Sequence, residues 1–138
     1  MKMRLILLAL IIIGILIAVF LYLQDSTIHT KYDITIEQTK ELLENPSIIV
    51  IDVRSKNEAP EGRLPHAITI DVHQAEFQEA LQKLDKAREY LIYSNYGERS
   101  AKAIQAMEKA GFARLHRMKD GIEEWKKAGF PMDKPIQP

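Results

Sequence analysis

The residues most able to do chemistry lie in one short segment, Ser94-Asn95-Tyr96-Gly97-Glu98-Arg99-Ser100. The segment follows a short apolar stretch that ends at Tyr93, and a helical pattern begins near Glu98. A turn that enters a helix in this way can direct successive backbone N–H groups at an anion, and the helix N-terminus adds a positive partial charge. We therefore predict an anion-binding loop, to which Arg99 adds charge-assisted hydrogen bonds.

Covalent chemistry in this segment would depend on Ser94. A serine hydroxyl becomes a nucleophile only beside a general base, and the segment contains no His, Lys or Asp. The chain has no cysteine, which excludes thiol nucleophiles, disulfides and thiolate metal sites. The histidines show neither triad order nor metal-ligand spacing: His29, His66, His73 and His116. We predict no metal site and no cofactor, and we interpret the histidines as surface or satisfied polar residues.

Strands and helices alternate along the chain, and these elements must position the segment. A β-branched run at 48–53 is typical of a strand buried on both faces of a parallel sheet. A capping box at Thr35 and Gln38 predicts a short helix through Leu43. Further strands are predicted at 68–70, 90–93 and 115–118, and further helices at 74–85, 98–110 and 121–128. The alternation predicts an α/β domain with a mainly parallel sheet.

The N-terminal residues are of a different kind. Residues 5–23 are apolar on all sides, and at about 1.5 Å per residue they span roughly 28 Å, close to the hydrocarbon thickness of a bilayer. A cleaved signal peptide would have a shorter apolar core and a small-residue cleavage site, whereas this run ends in bulky residues. We therefore predict an uncleaved transmembrane helix. Lys2 and Arg4 precede it, so the positive-inside tendency predicts cytoplasmic residues 1–4 and an extracytoplasmic domain.

Length and charge limit what the remainder can be. Residues 24–31 are polar and without pattern, which predicts a short tether, and residues 32–138 suffice for one domain with its own core. Two of the 19 basic residues lie before the apolar helix, which leaves 17 against 19 acidic residues. This balance gives no support for nucleic-acid binding. The expected partners are the membrane, through residues 5–23, and a protein or a small anion.

Three segments, in this order, resemble the rhodanese-like domain family. The first resembles the family's Asp-x-Arg strand end and Glu-Gly-His-Ile-Pro-Gly-Ala turn: Ile51-Asp52-Val53-Arg54 and Glu61-Gly62-Arg63-Leu64-Pro65-His66-Ala67-Ile68. Arg63 replaces the usual histidine there, and His66 replaces the usual glycine. The second, residues 93–101, resembles the active-site loop, in which Cys is followed by four residues and Arg-Ser. The third, residues 119–125, is similar to Gly-Gly-x-x-x-Trp, with Asp120 in place of the first glycine.

The resemblance covers about residues 35–132 and implies a rhodanese-like fold, a parallel sheet of about five strands flanked by helices. It also implies a site without its nucleophile. In active rhodaneses the loop holds a cysteine thiolate and then its persulfide, and Ser94 stands at that position here. We therefore expect a member of a sulfurtransferase family that does not transfer sulfur. The domain is expected to act as a binding or interaction module, with a weak anion cradle at residues 94–100 whose affinity is no tighter than about millimolar.

Asp52 and Arg54 are expected to support this loop by hydrogen bonds. An active sulfurtransferase, or another enzyme with an unrecognised nucleophile, stays open as the alternative because Gly97, Arg99 and Ser100 are all present. A related fold serves some tyrosine/threonine phosphatases, whose loop has five residues between Cys and Arg. Only four residues separate Ser94 from Arg99, so we do not expect phosphatase activity.

Overall fold

A computed structural model of the chain describes residues 1–134, with residues 24–30 and residue 59 described by their backbone alone. The chain forms two compact units, of which the first ends at Lys31 and the second begins at Tyr32. The last four residues of the predicted domain, 135–138, lie outside the described residues.

The first unit is a single helix, α1 (Lys2–Thr30). Its segment Lys2–Leu23 is long and apolar enough, by length and composition, to cross a membrane. Residues 24–30, predicted as a tether without pattern, continue the helix to Thr30. No proline or glycine stands between residues 24 and 30 to stop it.

The second unit is built on a five-stranded sheet in which all strands are parallel. In chain order the strands are β1 (Asp33–Ile34), β2 (Ile49–Asp52), β3 (Ile68–Thr69), β4 (Tyr90–Tyr93) and β5 (Leu115–Met118). They lie in the order β1-β5-β4-β2-β3, so the three longer strands are central and the two shortest form the edges. The predicted parallel sheet of about five strands is confirmed.

Three helices and one 3₁₀ turn connect these strands, and a fourth helix follows the last strand. They are α2 (Ile36–Leu42), the 3₁₀ turn Ala59–Glu61, α3 (Phe77–Gln82), α4 (Glu98–Lys109) and α5 (Gly121–Lys127). The predicted capping box begins α2: Gln38 N–H donates to Thr35 Oγ1 at 3.2 Å, and Thr35 N–H donates to Gln38 Oε1 at 2.9 Å. These two bonds satisfy N–H groups that a helix start leaves open.

Helix α3 is shorter than the predicted helix at 74–85. On its N-terminal side, Asp71 Oδ1 accepts the N–H of His73 at 2.9 Å, which forms a turn before the helix. On its C-terminal side, Leu84 N–H donates to Leu81 O at 3.2 Å, a bond of 3₁₀ type. Local turns thus compete with the helix at both ends, although the apolar spacing extends further.

Apolar side chains cover both faces of the sheet. Neighbouring residues of β2 point to opposite faces: Val50 packs with Leu91 and Trp125, whereas Ile51 packs with Ile92. Full burial of one such side chain contributes about 1.5–3 kcal/mol. The two cores hold β2 and β4 rigidly side by side, and the residues that follow these strands form the site.

Candidate functional site

The ends of β2 and β4 place the predicted site residues together. The two strands pair in parallel register, with Asp52 opposite Tyr93. The segments that follow them therefore both leave the sheet at its carboxyl end. Arg54 follows β2, and residues 94–100, here called the site loop, connect β4 to α4. The structure thus brings the loop and both predicted supporting residues together at the carboxyl end of the sheet.

Ser94 lies at the base of the site loop and is 1% exposed. Its Oγ accepts hydrogen bonds from the N–H groups of Gly97, at 3.1 Å, and Ser100, at 3.3 Å. Two loop amides therefore converge, as in the predicted cradle, and the Ser94 hydroxyl itself stands where they meet. The arrangement stabilises an electron-rich atom at this point, and neither of the two described partners can accept a proton from it.

Gly97 allows the loop to turn tightly against the end of β5. Its φ is +92°, and a Cβ at this position would lie 2.1 Å from the carbonyl oxygen of Lys119. The Ser100 hydroxyl donates to Gly97 O at 2.9 Å and fixes the turn from the other side. Any larger residue would be strained and would collide with the strand end, so the shape of the loop depends on this glycine.

The first turn of α5 supports the back of the loop. Ile122 N–H donates to Ser94 O at 2.9 Å, and Glu123 N–H donates to Asn95 O at 3.3 Å. Gly121 lies so close to the loop that a Cβ would be 2.0 Å from Asn95 O. The third sequence motif therefore contributes to the site by packing a helix start directly against the loop backbone.

Asp52 and Arg54 form a fully buried ion pair beside the loop. Arg54 Nη2 lies 2.6 Å from Asp52 Oδ2, and both side chains are 0% exposed. The Tyr93 hydroxyl donates to the same oxygen at 2.7 Å and accepts the N–H of Leu64 at 3.1 Å. Burial is the main cause that raises the pKa of Tyr93 well above its ordinary value, and the charge of Asp52 adds to the rise. The phenol therefore stays a neutral donor. Burial, the largest single effect, would lower the pKa of Arg54, but the hydrogen bonds and charge of Asp52, together with Tyr93, outweigh it and raise the pKa.

Asn95 connects this buried pair to the mouth of the loop. Its Oδ1 accepts from Arg54 Nη1 at 3.3 Å, and its Nδ2 donates to Glu58 Oε1 at 2.9 Å. The amide thus lies between two charged groups and satisfies one with each end. One polar network runs from the strand end to the outer part of the loop.

Arg99 is bound by Glu58, a residue that the sequence patterns did not predict for the site. Arg99 Nη1 and Nη2 lie 2.6 and 2.7 Å from the two carboxylate oxygens. Ser55 also donates to this carboxylate through its N–H, at 3.0 Å, and its hydroxyl, at 2.8 Å. The hydrogen bond from Arg99 is the main cause that lowers the pKa of Glu58 far below its ordinary value. The Ser-x-x-Glu spacing, which is that of a capping box, was the available signal.

The remaining loop residues and the histidines at positions 66, 73 and 116 lie outside this network, and the side chain of His29 is outside the described part of the chain. Tyr96 is 73% exposed, and Glu98 is also exposed. His116 Nε2 lies 2.7 Å from Glu89 Oε1 in a separate pair. Within residues 1–134, setting aside the side chains that are not described, no group of three His, Asp or Glu residues could hold a metal ion. The network described so far therefore consists of backbone amides and two ion pairs, and an exposed aromatic ring lies beside it.

Known proteins resemble this chain in sequence and in fold. The rhodanese-like domain family matches residues 35–128. A sulfurtransferase from Allochromatium vinosum is 25% identical over 97 residues, covering 70% of this chain and 89% of that one. The thiosulfate sulfurtransferase GlpE from Coxiella burnetii is 29% identical over 86 residues, covering 62% and 78%. The crystal structure of a rhodanese-related protein from Thermoplasma volcanium has the same fold, with a TM-score of 0.67 at 24% identity, covering 75% and 98%.

Proposed function

Because this chain belongs to the rhodanese-like domain family, we propose that it is a non-catalytic member, which acts as a binding or interaction module held at a membrane. The observation that carries the proposal is the Ser94 oxygen at the meeting point of the loop amides, in a chain without cysteine. An active member needs a sulfur atom at this point, and this chain has an oxygen atom.

Sulfur transfer needs a group that ionises and then carries the sulfur. A thiol, with a reference pKa of about 8.5, can be brought to neutral pH by an amide cradle, whereas a serine hydroxyl needs an adjacent base. The described partners of Ser94 Oγ are two N–H donors, which cannot take its proton. Ser94 is also 1% exposed, so a substrate would reach it only after the loop moved. Both features support a loop that binds without transferring sulfur.

The same loop should attract small anions only weakly. A helix N-terminus contributes about 0.3–1 kcal/mol, but Arg99 is already engaged by Glu58 through two charge-assisted bonds. An incoming anion must compete with this carboxylate, which Ser55 also holds in place. We therefore expect an affinity no tighter than about millimolar, roughly −4 kcal/mol.

A thiosulfate-to-cyanide assay on the full chain tests the absence of catalysis. The native chain and Ser94→Ala should both produce no thiocyanate above the protein-free blank. The thiolate of Ser94→Cys should attack the outer sulfur of thiosulfate, break its S–S bond and release sulfite, because the loop keeps its shape and its amides. The persulfide formed is visible as a mass increase. Native turnover that Ser94→Ala abolishes would show that Ser94 is a nucleophile and would end the proposal.

An enzyme with a different nucleophile is the second candidate. The retained arrangement of Gly97, Arg99 and Ser100 around the loop favours it. It predicts turnover of the native chain that persists in Ser94→Ala. The same two variants therefore separate the non-catalytic module, a serine enzyme and an enzyme with another nucleophile.

Tyr96 is the contact that we propose for a protein partner. Its ring lies at the tip of the site loop and is 73% exposed, and loops on a rigid scaffold often carry binding residues. Ile68, 43% exposed, is the other exposed large apolar side chain among the described residues of the second unit, and it serves as a matched control. Tyr96→Ala should reduce co-purification of the partner, and Ile68→Ala should not. Equal recovery with both variants would remove Tyr96 from the interface.

We also propose that α1 anchors the domain on the extracytoplasmic side. The apolar length of Lys2–Leu23 and the basic residues Lys2 and Arg4 support this orientation. Because the native chain has no cysteine, single cysteines report on the two sides. A membrane-impermeant maleimide on intact cells should label Glu79→Cys, where the native side chain is 66% exposed, and should not label Lys2→Cys. The reverse pattern would place the domain in the cytoplasm.

A further inference from the structure

We propose that Asp33 and Arg117 are positioning residues of the site: together they hold the carbonyl of Gly97 and so keep the loop amides aimed at the side chain of residue 94. The proposal concerns the same loop and rests on its assignment as the site above. Neither residue lies within the sequence segments that gave the predicted site, and β1, which carries Asp33, was not predicted from the sequence.

Arg117 connects the edge strand to the loop through its guanidinium group. Its Nε and Nη2 each lie 2.6 Å from an oxygen of the Asp33 carboxylate. Its Nη1 donates to Gly97 O at 2.9 Å. The side chains of Arg117 and Asp33 are only 10% and 16% exposed, so water competes little for these bonds.

The geometry of the guanidinium group makes this contact directional. The group is planar, and its donors point in fixed directions. With two donors on the Asp33 carboxylate, the remaining nitrogen is directed at the Gly97 carbonyl. The edge strand is itself fixed on β5, because Arg117 N–H donates to Tyr32 O at 2.7 Å. Backbone and side chain therefore define one position for the carbonyl.

The position of this carbonyl matters because Gly97 also supplies a cradle amide. Gly97 O accepts from the Ser100 hydroxyl at 2.9 Å and from Ala101 N–H at 3.0 Å, while Gly97 N–H donates to Ser94 Oγ. Arg117 is the only charged donor of the three described for this oxygen, and charge-assisted bonds are the strong ones. Without it, only neutral donors would hold Gly97, and its amide would be less firmly directed.

The Ser94→Cys variant places a thiol at the meeting point of the loop amides, and this thiol is the single one in the full chain. Its reactivity therefore reports on the loop. The pH dependence of its alkylation by iodoacetamide, measured in detergent micelles, gives the thiol pKa. In this parent variant the loop amides should hold the thiol pKa below the reference value of about 8.5. Arg117→Met, introduced into this parent variant, should raise the thiol pKa by roughly one unit, a tenfold change in the ionisation constant. Asp33→Asn, introduced in the same way, should raise the thiol pKa by less.

Arg114→Met is the matched control for Arg117→Met. Arg114 lies immediately before β5, its side chain is 61% exposed, and it pairs with Glu89. Its replacement should leave the thiol pKa unchanged. Fluorescence of the single tryptophan, Trp125, which is 1% exposed, shows whether each variant is folded.

Two results would overturn the proposal: a thiol at the reference pKa in the parent variant, or a folded Arg117→Met variant whose thiol pKa moves no more than in Arg114→Met. If Arg117→Met does not fold, the absence of a shift in Asp33→Asn overturns it in the same way. Turnover by the native chain, which would refute the proposed function, is a separate measurement and does not affect this test.

Discussion

Asp52→Asn keeps the shape of a buried side chain and removes its charge. In the native domain the carboxylate accepts from the backbone N–H, Nε and Nη2 of Arg54 and from the hydroxyl of Tyr93. Asparagine offers one acceptor oxygen and turns an NH₂ group toward the other donors. The guanidinium group of Arg54 then stays buried without a counter-charge.

The expected cost follows from the contacts that remain. Removal of one partner of a buried ion pair costs about 3–5 kcal/mol. Arg54 keeps Gly62 O at 2.8 Å and Asn95 Oδ1 at 3.3 Å, so we expect the lower part of this range, about 3 kcal/mol. A domain is stable by about 5–15 kcal/mol. With a urea slope of about 1–3 kcal/mol per molar, the unfolding midpoint should fall by roughly 1–3 M.

Trp125 allows this measurement in the full chain. It is the single tryptophan and lies in the core of the domain, so its fluorescence during urea unfolding in micelles reports on the domain alone. Glu79→Gln is the control, because the Glu79–Lys83 pair has side chains that are 66% and 72% exposed. It should cost about 0.5 kcal/mol or less. Equal midpoints for Asp52→Asn and Glu79→Gln would refute the reasoning that the buried pair supports this end of the sheet.

Four further substitutions have defined outcomes in the same unfolding assay. Glu58→Gln should cost about 1 kcal/mol at neutral pH. Because folding lowers the pKa of Glu58, the difference in free energy of unfolding between the native chain and this variant should shrink as the pH falls below about 4.3. A difference that persists unchanged to about pH 3 would contradict the ion pair. His66 has a φ of +60°, so His66→Gly should relieve about 1–2 kcal/mol of backbone strain. The greater chain entropy of glycine in the unfolded state offsets about 0.5–1 kcal/mol of this gain. The unfolding midpoint should therefore not fall, and a lower midpoint would contradict this reasoning. Gly97→Ala should cost at least about 3 kcal/mol because of the contact with Lys119 O. Gly129→Ala is the control, because Gly129 has a φ of +71° but no atom within 4 Å of a Cβ at this position. It should cost about 1 kcal/mol. Equal losses of stability in the two variants would show that movement relieves the close contact at Gly97.

The centre of the fold could be predicted because its signals are local. The β-branched run around Ile49–Asp52 and the run at Tyr90–Tyr93 are typical of strands that are buried on both faces. β1 gives no such signal: Asp33–Ile34 is two residues long and becomes a strand only because it pairs with β5. Local patterns thus define the central strands, whereas the edge depends on tertiary contacts.

The candidate site divides in the same way. Ser94 and Gly97 could be predicted because a motif fixes their spacing within one loop. The two ion pairs that join distant segments could not, since Glu58 is 41 residues from Arg99 and Asp33 is 84 residues from Arg117. At such separations no local pattern assigns one of the 19 acidic residues to a given basic residue. Only the folded chain identifies these pairs.

β1 and β3 form the two borders of the sheet, and each is only two residues long. A border of that length presents too few unpaired backbone groups to template the addition of a strand from a neighbouring molecule. We therefore expect that the sheets of neighbouring copies do not join edge to edge, even when this protein is crowded.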